Sequence, residues 1–468
     1  MAAAILVLQF MLKQQVNFMI HSFKIHGTNM VLDVMSGAVH QFDDIAYDVL
    51  GCYERNGVLN NDKIKNLSQY KEAEINEAIE EIEYLKKKNM LFTEDPYTEM
   101  LPAWTKQTVV KALCLHIAHD CNLRCSYCFA GTGEYMGRRS LMSLEVGKRA
   151  IDFLIENSGN RRNLEVDFFG GEPLMNFEVV KRIVEYARVR ENKTGKNFRF
   201  TITTNVMLLD EDKQNYINEN MHNVVLSLDG RKEVNDAVRK RIDGTGSYDR
   251  ILPLAKKMAE ERGEQQYYIR GTFTRKNLDF GADVLHMADL GFEQISVEPV
   301  VAAKDSGLDI REEDLDTVCN EYERLAKEYV ERRKNGQWFN FFHFMIDLEG
   351  GPCIAKRMRG CGSGTEYLAV TPEGELYPCH QFVGHEEFLL GNIYDGLNQN
   401  TVREAFRETN VYTKPRCSSC WAKFYCSGGC AANAWQFNND IRIPYEIECE
   451  LEKKRVECAL WIKAQESN

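Results

Sequence analysis

Between residues 111 and 334 the chain alternates a short apolar or β-branched run with a longer segment of helical periodicity, and it does so six times. The runs are 111–118, 164–169, 198–204, 223–228, 267–273 and 294–299. The helical segments fall at about 143–157, 177–191, 210–219, 247–261, 279–289 and 311–334. Repeated βα units predict an α/β fold whose parallel strands curl into an open, partial (β/α)6 barrel of TIM-like type. In barrels of this kind the reacting groups sit at the C-terminal ends of the strands. The residues that follow each run are therefore where chemistry is expected.

The first run ends in His119-Asp120-Cys121-Asn122-Leu123-Arg124-Cys125-Ser126-Tyr127-Cys128-Phe129, a C-x3-C-x2-C spacing. Three thiolates on one short loop suit a soft metal or an iron–sulfur cluster. Structural zinc takes four protein ligands, whereas a reactive centre keeps a position open. A four-iron cluster held by Cys121, Cys125 and Cys128 would leave one iron free. Two plainer readings exist: a zinc knuckle completed by His116 or His119, and a disulfide with one spare thiol. The second suits a secreted chain, and no secretion signal is evident here.

The next two runs end in Phe168-Phe169-Gly170-Gly171-Glu172-Pro173 and Thr203-Thr204-Asn205. With the cysteine loop, these resemble the radical S-adenosylmethionine (SAM) superfamily. The resemblance implies that SAM chelates the free iron through its amino and carboxylate groups. One electron from the cluster then splits SAM into methionine and a hydrogen-abstracting 5′-deoxyadenosyl radical. Gly170 and Gly171 let backbone approach the methionine part, and Glu172 or the backbone around Pro173 can accept from its ammonium group. Thr204 and Asn205 belong to the same rim. The resemblance places Ser227, in Ser227-Leu228-Asp229-Gly230, near the ribose or carboxylate. It matches Arg239 to an arginine that pairs the methionine carboxylate, for which a planar guanidinium is suited. It also places Glu298, in Ser296-Val297-Glu298-Pro299, against SAM and Tyr127 near the adenine.

The composition excludes some functions. Acidic residues outnumber basic ones 70 to 58, for a net charge of −12. Phosphate binding needs clustered Lys and Arg, so no nucleic-acid partner is expected. No apolar run is long enough to span a membrane. Fifteen cysteines in a chain without a secretion signal point to metal or redox sites in the cytoplasm. The leading residues are apolar but lack a basic segment, so 1–18 read as an extension, with Met19 a candidate natural start.

Residues 19–102 carry alternating runs at Ile20–Ile25, Met30–Val34 and Ala38–Phe42, then helical patterns that include Ile75, Ile79, Ile82 and Leu85. A three-stranded sheet with helices, winged-helix-like, is expected there, the barrel over 103–345 and a cysteine-rich tail over 346–468. The tail has few long periodic segments, so metal clusters rather than a core are expected to hold it. Its pattern runs Cys361-x12-Gly374-x4-Cys379, then Cys417-x2-Cys420-x5-Cys426-x3-Cys430, then Cys449. Two zinc ribbons are the plain alternative. The pattern resembles the seven-cysteine SPASM extension of radical SAM peptide-modifying enzymes, which implies two auxiliary 4Fe-4S clusters and three in all. By that resemblance Cys361, Cys379 and Cys430 hold the nearer auxiliary cluster, with Cys353 a candidate fourth ligand. Cys417, Cys420, Cys426 and Cys449 hold the farther one. Cys52, Cys114, Cys319 and Cys458 read as buried small residues.

The three-part layout resembles thioether-forming peptide maturases of the sactipeptide and ranthipeptide type, most closely those acting on SCIFF peptides. This implies an oxidoreductase that links cysteine sulfur to carbon in a cysteine-rich precursor. The leader of that precursor would add as a strand to the N-terminal sheet. A flavodoxin or ferredoxin would supply the low-potential electron. The alternatives are another SPASM oxidation, such as anaerobic formylglycine formation in sulfatases, and a non-catalytic iron–sulfur carrier.

Overall fold

The computed structural model describes residues 18–101, 109–348, 354–398 and 400–467. Cys353 and the extension up to residue 17 lie outside them. The N-terminal unit begins with strands β1 (Ile20–Ile25), β2 (Thr28–Asp33) and β3 (Val39–Phe42), antiparallel in the order β1-β2-β3. Asp43 opens the first helix, Asp44–Leu50, by accepting from the Ala46 N–H at 2.8 Å. In helix Glu72–Lys87, Ile75, Ala78 and Ile82 share one face. That face packs with Val31, Val49 and Leu91 as a small separate core.

The barrel strands are β4 (Ala112–Ala118), β6 (Asn163–Gly170), β7 (Asn197–Thr204), β8 (Asn223–Ser227), β10 (Gln266–Phe273) and β11 (Gln294–Pro299). All are parallel, in the order β4-β6-β7-β8-β10-β11, and the short β12 (Asn340–Phe341) follows β11. A two-stranded antiparallel ribbon stands apart: β5 (Leu123–Cys125) with β9 (Arg239–Arg241). The barrel helices are Leu144–Asn157, Phe177–Thr194, Glu211–Asn220, Tyr248–Arg262, Phe280–Asp289 and Leu315–Lys334. Every β4 residue is buried. In β10 burial alternates, which puts Tyr267, Ile269 and Phe273 under the helices and turns Arg270 and Thr272 the other way.

The tail has more regular structure and more core than its sequence predicts. Strand β13 (Tyr367–Val370) adds in parallel to β4, and β14 (Glu375–Tyr377), β15 (Gly391–Asn392) and β16 (Gly396–Leu397) continue the same sheet. One eleven-stranded sheet thus spans barrel and tail. Phe382, Phe406 and Ile441 form a core of the tail's own, with Trp435 against it. The strands are two to four residues long, too short to show a period in sequence. The final helix, Glu446–Glu466, packs on the barrel helix Leu315–Lys334 and on β1. No helix among the described residues is long and apolar enough to cross a membrane.

Candidate functional site

Cys121, Cys125 and Cys128 sit on the loop that leaves the C-terminal end of β4. Ser227, Glu298 and the Gly-Gly and Thr-Asn motifs lie at the same end of their strands. The Gly-Gly turn holds the cysteine loop by backbone: Gly171 N–H donates to Ala118 O at 2.8 Å and Glu172 N–H to Asp120 O at 2.9 Å. A Cβ on Gly170 would stand 2.4 Å from Ala118 O, and one on Gly171 2.1 Å from Asp120 O. Only glycine allows that approach.

Glu172 is wholly buried and points inward. Its carboxylate accepts from Leu174 N–H at 3.0 Å, Thr204 Oγ1 at 2.8 Å and Asn205 N–H at 2.7 Å. Burial pushes its pKa up to about 7 against those donors. Of the two acceptors that the sequence left open for an ammonium group, the carboxylate is engaged in fastening β6 to β7, and the turn's backbone remains. Pro173 starts the short 3-10 turn that Glu172 caps. Asn205 reaches the loop itself, its Nδ2 2.7 Å from Asn122 Oδ1 and 3.5 Å from Cys121 Sγ.

Cys125 lies across the β5–β9 ribbon from Arg239. The Arg239 Nε is 2.9 Å from Asp229 Oδ2, and the guanidinium lies 5.5 Å from the Tyr127 ring centroid. The Tyr127 hydroxyl donates to Asp229 at 2.8 Å, and Thr272 N–H also donates to that carboxylate at 2.9 Å. The structure thus gives Arg239 a protein partner and makes Asp229, which the sequence reading quoted but did not single out, the hub of the site. An acidic residue in the turn after an apolar strand was the available signal. Ser227 ends β8 opposite Arg270, and Arg270 pairs with Glu298 at 2.5 Å.

The thiols fit a cluster. Burial raises Cys121 to about 11, Cys125 to about 12, and Cys128 in the same direction, while the Arg239 cation favours the Cys125 and Cys128 thiolates. Iron coordination would supply the missing charge compensation. Leu123 N–H also donates to Cys121 Sγ, at 3.4 Å. His116 and His119 bind each other, Nδ1 to Nε2, at 2.9 Å. Among the described residues no three His, Cys, Asp or Glu side chains are grouped at the spacing of a single metal ion.

The tail thiols fall into two groups. Burial raises Cys379 to about 12, with Cys361 adding to the rise; Cys430 is raised by burial, Glu448, Cys379 and Cys361. Burial raises Cys449 to about 12, with Cys417 and Cys420 adding to it, and Cys426 feels Cys449 in turn. Cys52, Cys114 and Cys458 are buried and Cys319 is half-buried.

A family profile described as the Radical SAM superfamily matches residues 115–272, from β4 through most of β10. The iron–sulfur cluster-binding SPASM domain matches 361–421. The chain is a radical SAM family enzyme. The SPASM match begins at Cys361 and takes in Cys379, Cys417 and Cys420. The radical SAM cyclopropyl synthase TigE of Paramaledivibacter caminithermalis is 22% identical over 446 residues, 89% of this chain and 89% of its own. A cysteine-type anaerobic sulfatase-maturating enzyme of Clostridium novyi is 23% identical over 333 residues, 67% of this chain and 86% of its own. Native anSMEcpe solved with bound AdoMet superposes with a TM-score of 0.62 at 20% identity, over 76% of this chain and 100% of that one. Streptococcus suis SuiB bound to S-adenosylmethionine gives 0.52 at 17% identity, over 92% and 98%. The radical SAM barrel and SPASM tail are common to these folds.

Proposed function

We propose that this radical SAM enzyme forms thioether links, cysteine sulfur to carbon, within a ribosomally made, cysteine-rich precursor peptide. The observation that carries the reading is the N-terminal three-stranded unit. Matches to a sulfatase-maturating enzyme and to anSMEcpe cover 67% and 76% of this chain. Those to TigE and SuiB extend to 89% and 92%, and SuiB has also been solved bound to its precursor peptide SuiA. In this chain β1 lies against the final helix, which leaves β3 as the edge away from it. A leader segment would dock there as an added strand.

Cys121, Cys125 and Cys128 would hold a 4Fe-4S cluster, and the two tail groups would hold two auxiliary clusters. SAM on the first cluster supplies a 5′-deoxyadenosyl radical once a flavodoxin- or ferredoxin-type donor has delivered an electron. The protein's part is positional. Asn205 and Leu123 N–H stabilise the Cys121 thiolate, Arg239 offsets negative charge at Cys125, and the Gly170–Gly171 backbone presents a surface to the amino-acid end of SAM. Thr204 and Glu172 keep Asn205 in place. Ser227, Tyr127 and the Arg270–Glu298 pair line the same strand ends and would orient the nucleoside. Cys353 is the proposed exchangeable ligand of the nearer auxiliary cluster.

The test is anaerobic turnover with a short cysteine-rich peptide encoded beside the enzyme's reading frame, read by fragmentation mass spectrometry. Loss of two hydrogens per bridge, with protection of that cysteine from alkylation, is expected. Cysteines that stay alkylatable while 5′-deoxyadenosine accumulates would overturn the reading. Conversion of a sulfatase-derived peptide to formylglycine would put the sulfatase-maturating reading in its place, and no SAM cleavage at all would leave a carrier.

A further inference from the structure

Cys361 is exposed, unlike every other cysteine among the described residues. The chain reaches it through Lys356-Arg357-Met358-Arg359-Gly360. Helix Asn400–Glu408 lies over the turn that follows: a Cβ on Gly364 would stand 2.7 Å from Phe406 Cγ, and Arg403 Nε is 3.5 Å from Gly364 O. Arg403 and Arg407 stand four residues apart on that helix, hence on one face. Among the described residues neither they nor Arg359 make an ion pair. Burial disfavours the Arg359 and Arg403 cations, and the Arg407 cation disfavours both further. Glu366 is the carboxylate that acts on Arg359, and Lys111 already holds it at 2.7 Å. Glu404 and Glu408, on the same helix, are exposed and pair with none of the three. The terminal nitrogens of Arg403 and Arg407 are neither hydrogen-bonded nor buried, so they are open to a partner.

Guanidinium groups gathered without carboxylates repel one another, which works against the fold. The chain carries a net charge of −12, so this positive face does not follow from a basic composition. Arg407 also stands on a groove of about 1200 Å³, walled by Phe388, Val402, Phe406, Trp435 and Ile441. Apolar and aromatic walls beside free arginines have the composition of a protein-docking surface. Charge complementarity requires an acidic partner.

The neighbouring thiol says which acidic partner. A cluster held in part by an exposed cysteine has an edge near the surface, within reach of a second redox centre. The proposed reaction also leaves an electron to be carried off. Closing a sulfur–carbon bond removes two hydrogens from the peptide. One leaves as the hydrogen atom taken into 5′-deoxyadenosine, and the thiol hydrogen leaves as a proton. Joining the thiolate to the carbon radical then releases one electron, which an oxidised carrier protein can accept and return for the next cleavage of SAM. We infer that the face formed by Arg359, Arg403 and Arg407 docks an acidic electron-transfer protein beside Cys361. Such encounters are small and transient, so charge rather than buried area governs them. The inference rests on the proposed auxiliary clusters and electron carrier, but its test needs no peptide.

The probe is a flavodoxin of net negative charge, bound to the full-length, cluster-loaded enzyme without oxygen and followed by surface plasmon resonance. At about 0.05 M salt, Arg403→Glu/Arg407→Glu should slow association about tenfold. At about 1 M salt the screening length falls to about 3 Å, and the difference should vanish. Arg182→Glu/Lys193→Glu, on the barrel helix Phe177–Thr194, changes the net charge equally and should have little effect. Iron per chain checks folding, and the neutral pair Arg403→Gln/Arg407→Gln should show a smaller loss in the same direction. In stopped-flow mixing of reduced enzyme with oxidised flavodoxin, flavin reduction should slow in the same variants. Equal slowing in the barrel-helix control overturns the assignment, as does slowing that persists at high salt or an unchanged rate of flavin reduction. Binding of hexa-aspartate where flavodoxin is ignored would give the face to an acidic peptide instead. Salt-sensitive docking on an enzyme that never crosslinks a cysteine-rich peptide would keep the surface and lose the thioether reading. Crosslinking by an enzyme whose arginine face flavodoxin ignores would do the reverse.

Discussion

The cysteine loop of the barrel and the cysteines of the tail hold their ligands in different ways. Around Cys121, Cys125 and Cys128 the barrel supplies the frame: the Gly170–Gly171 turn, the buried Glu172 clasp between β6 and β7, Asn205, and Asp229 with Arg239 and Tyr127. The tail cysteines come from turns, short helices and the final helix, and Cys361 is exposed. Their charged neighbours include one another, Glu448, Glu452 and Lys414. The barrel site is framed by side chains from several strands, whereas the tail thiols stand on short elements around the tail's own small core.

The sharpest way to break this comparison is to remove one ligand from each side. Altering groups outside a metal's own ligands already costs about 10–100-fold. Cys125→Ala should therefore lower SAM cleavage by more than about 100-fold. Cys420→Ala should keep cleavage without peptide within about tenfold and lose the crosslinked product instead. Chromatography of 5′-deoxyadenosine beside mass spectrometry of the peptide separates the two outcomes. Equal loss of cleavage in both variants would mean that the tail is part of the barrel's frame.

Stability should divide the same way. In Asp229→Asn the buried Arg239 keeps its charge and loses its counter-ion, at a cost of about 3–5 kcal/mol. The tail's Asp440–Arg442 pair is largely solvent-facing, and Asp440→Asn should cost no more than about 1 kcal/mol. Denaturant unfolding of the cluster-free chain reads both.

How much was legible follows from the same contrast. The six barrel strands and helices were readable because each is long enough to show its period, and the cysteine, Gly-Gly and Thr-Asn motifs lie in the turns where a βα barrel places chemistry. The roles inside those motifs were less readable. Glu172 looked available to a ligand, yet its carboxylate serves Leu174, Thr204 and Asn205, and Arg239 proved to be held by Asp229. Glu172 meets Thr204 and Asn205, 32 and 33 positions on, and Arg239 turns back to Asp229 across an intervening helix; spacing encodes neither contact. The tail strands escaped because Tyr367–Val370 and its partners carry no period, and β13 is specified by the exposed edge of β4 rather than by its own sequence.

A smaller effect concerns pH. Burial raises Glu172 from 4.5 to about 7. Between those values the folded chain keeps a proton that the unfolded chain has released, so folding stability declines as pH rises through that window. Glu172→Gln cannot titrate, and the decline from this group should disappear from the variant's stability profile between pH 4.5 and about 7. A profile as steep as the wild type's would show that the clasp is ionised throughout.

The smallest expected effect joins the N-terminal unit to the tail. His21 on β1 lies parallel to Trp421, with ring centroids 3.6 Å apart, and its Nε2 is 3.0 Å from Glu457 Oε1 on the final helix. Trp421 follows Cys420 directly, so the stack is one residue from a tail thiol. An aromatic pair contributes about 0.5–1.5 kcal/mol, and His21→Leu keeps much of the apolar area while losing the ring and the hydrogen bond. Unfolding should become easier by about 1 kcal/mol. If the tail's spacing is set by its clusters, iron per chain should stay at the wild-type level in that variant. If iron falls together with stability, the tail too is held by a frame, supplied by β1 instead of the barrel, and the contrast between the two cysteine sites narrows to a difference in which element does the holding.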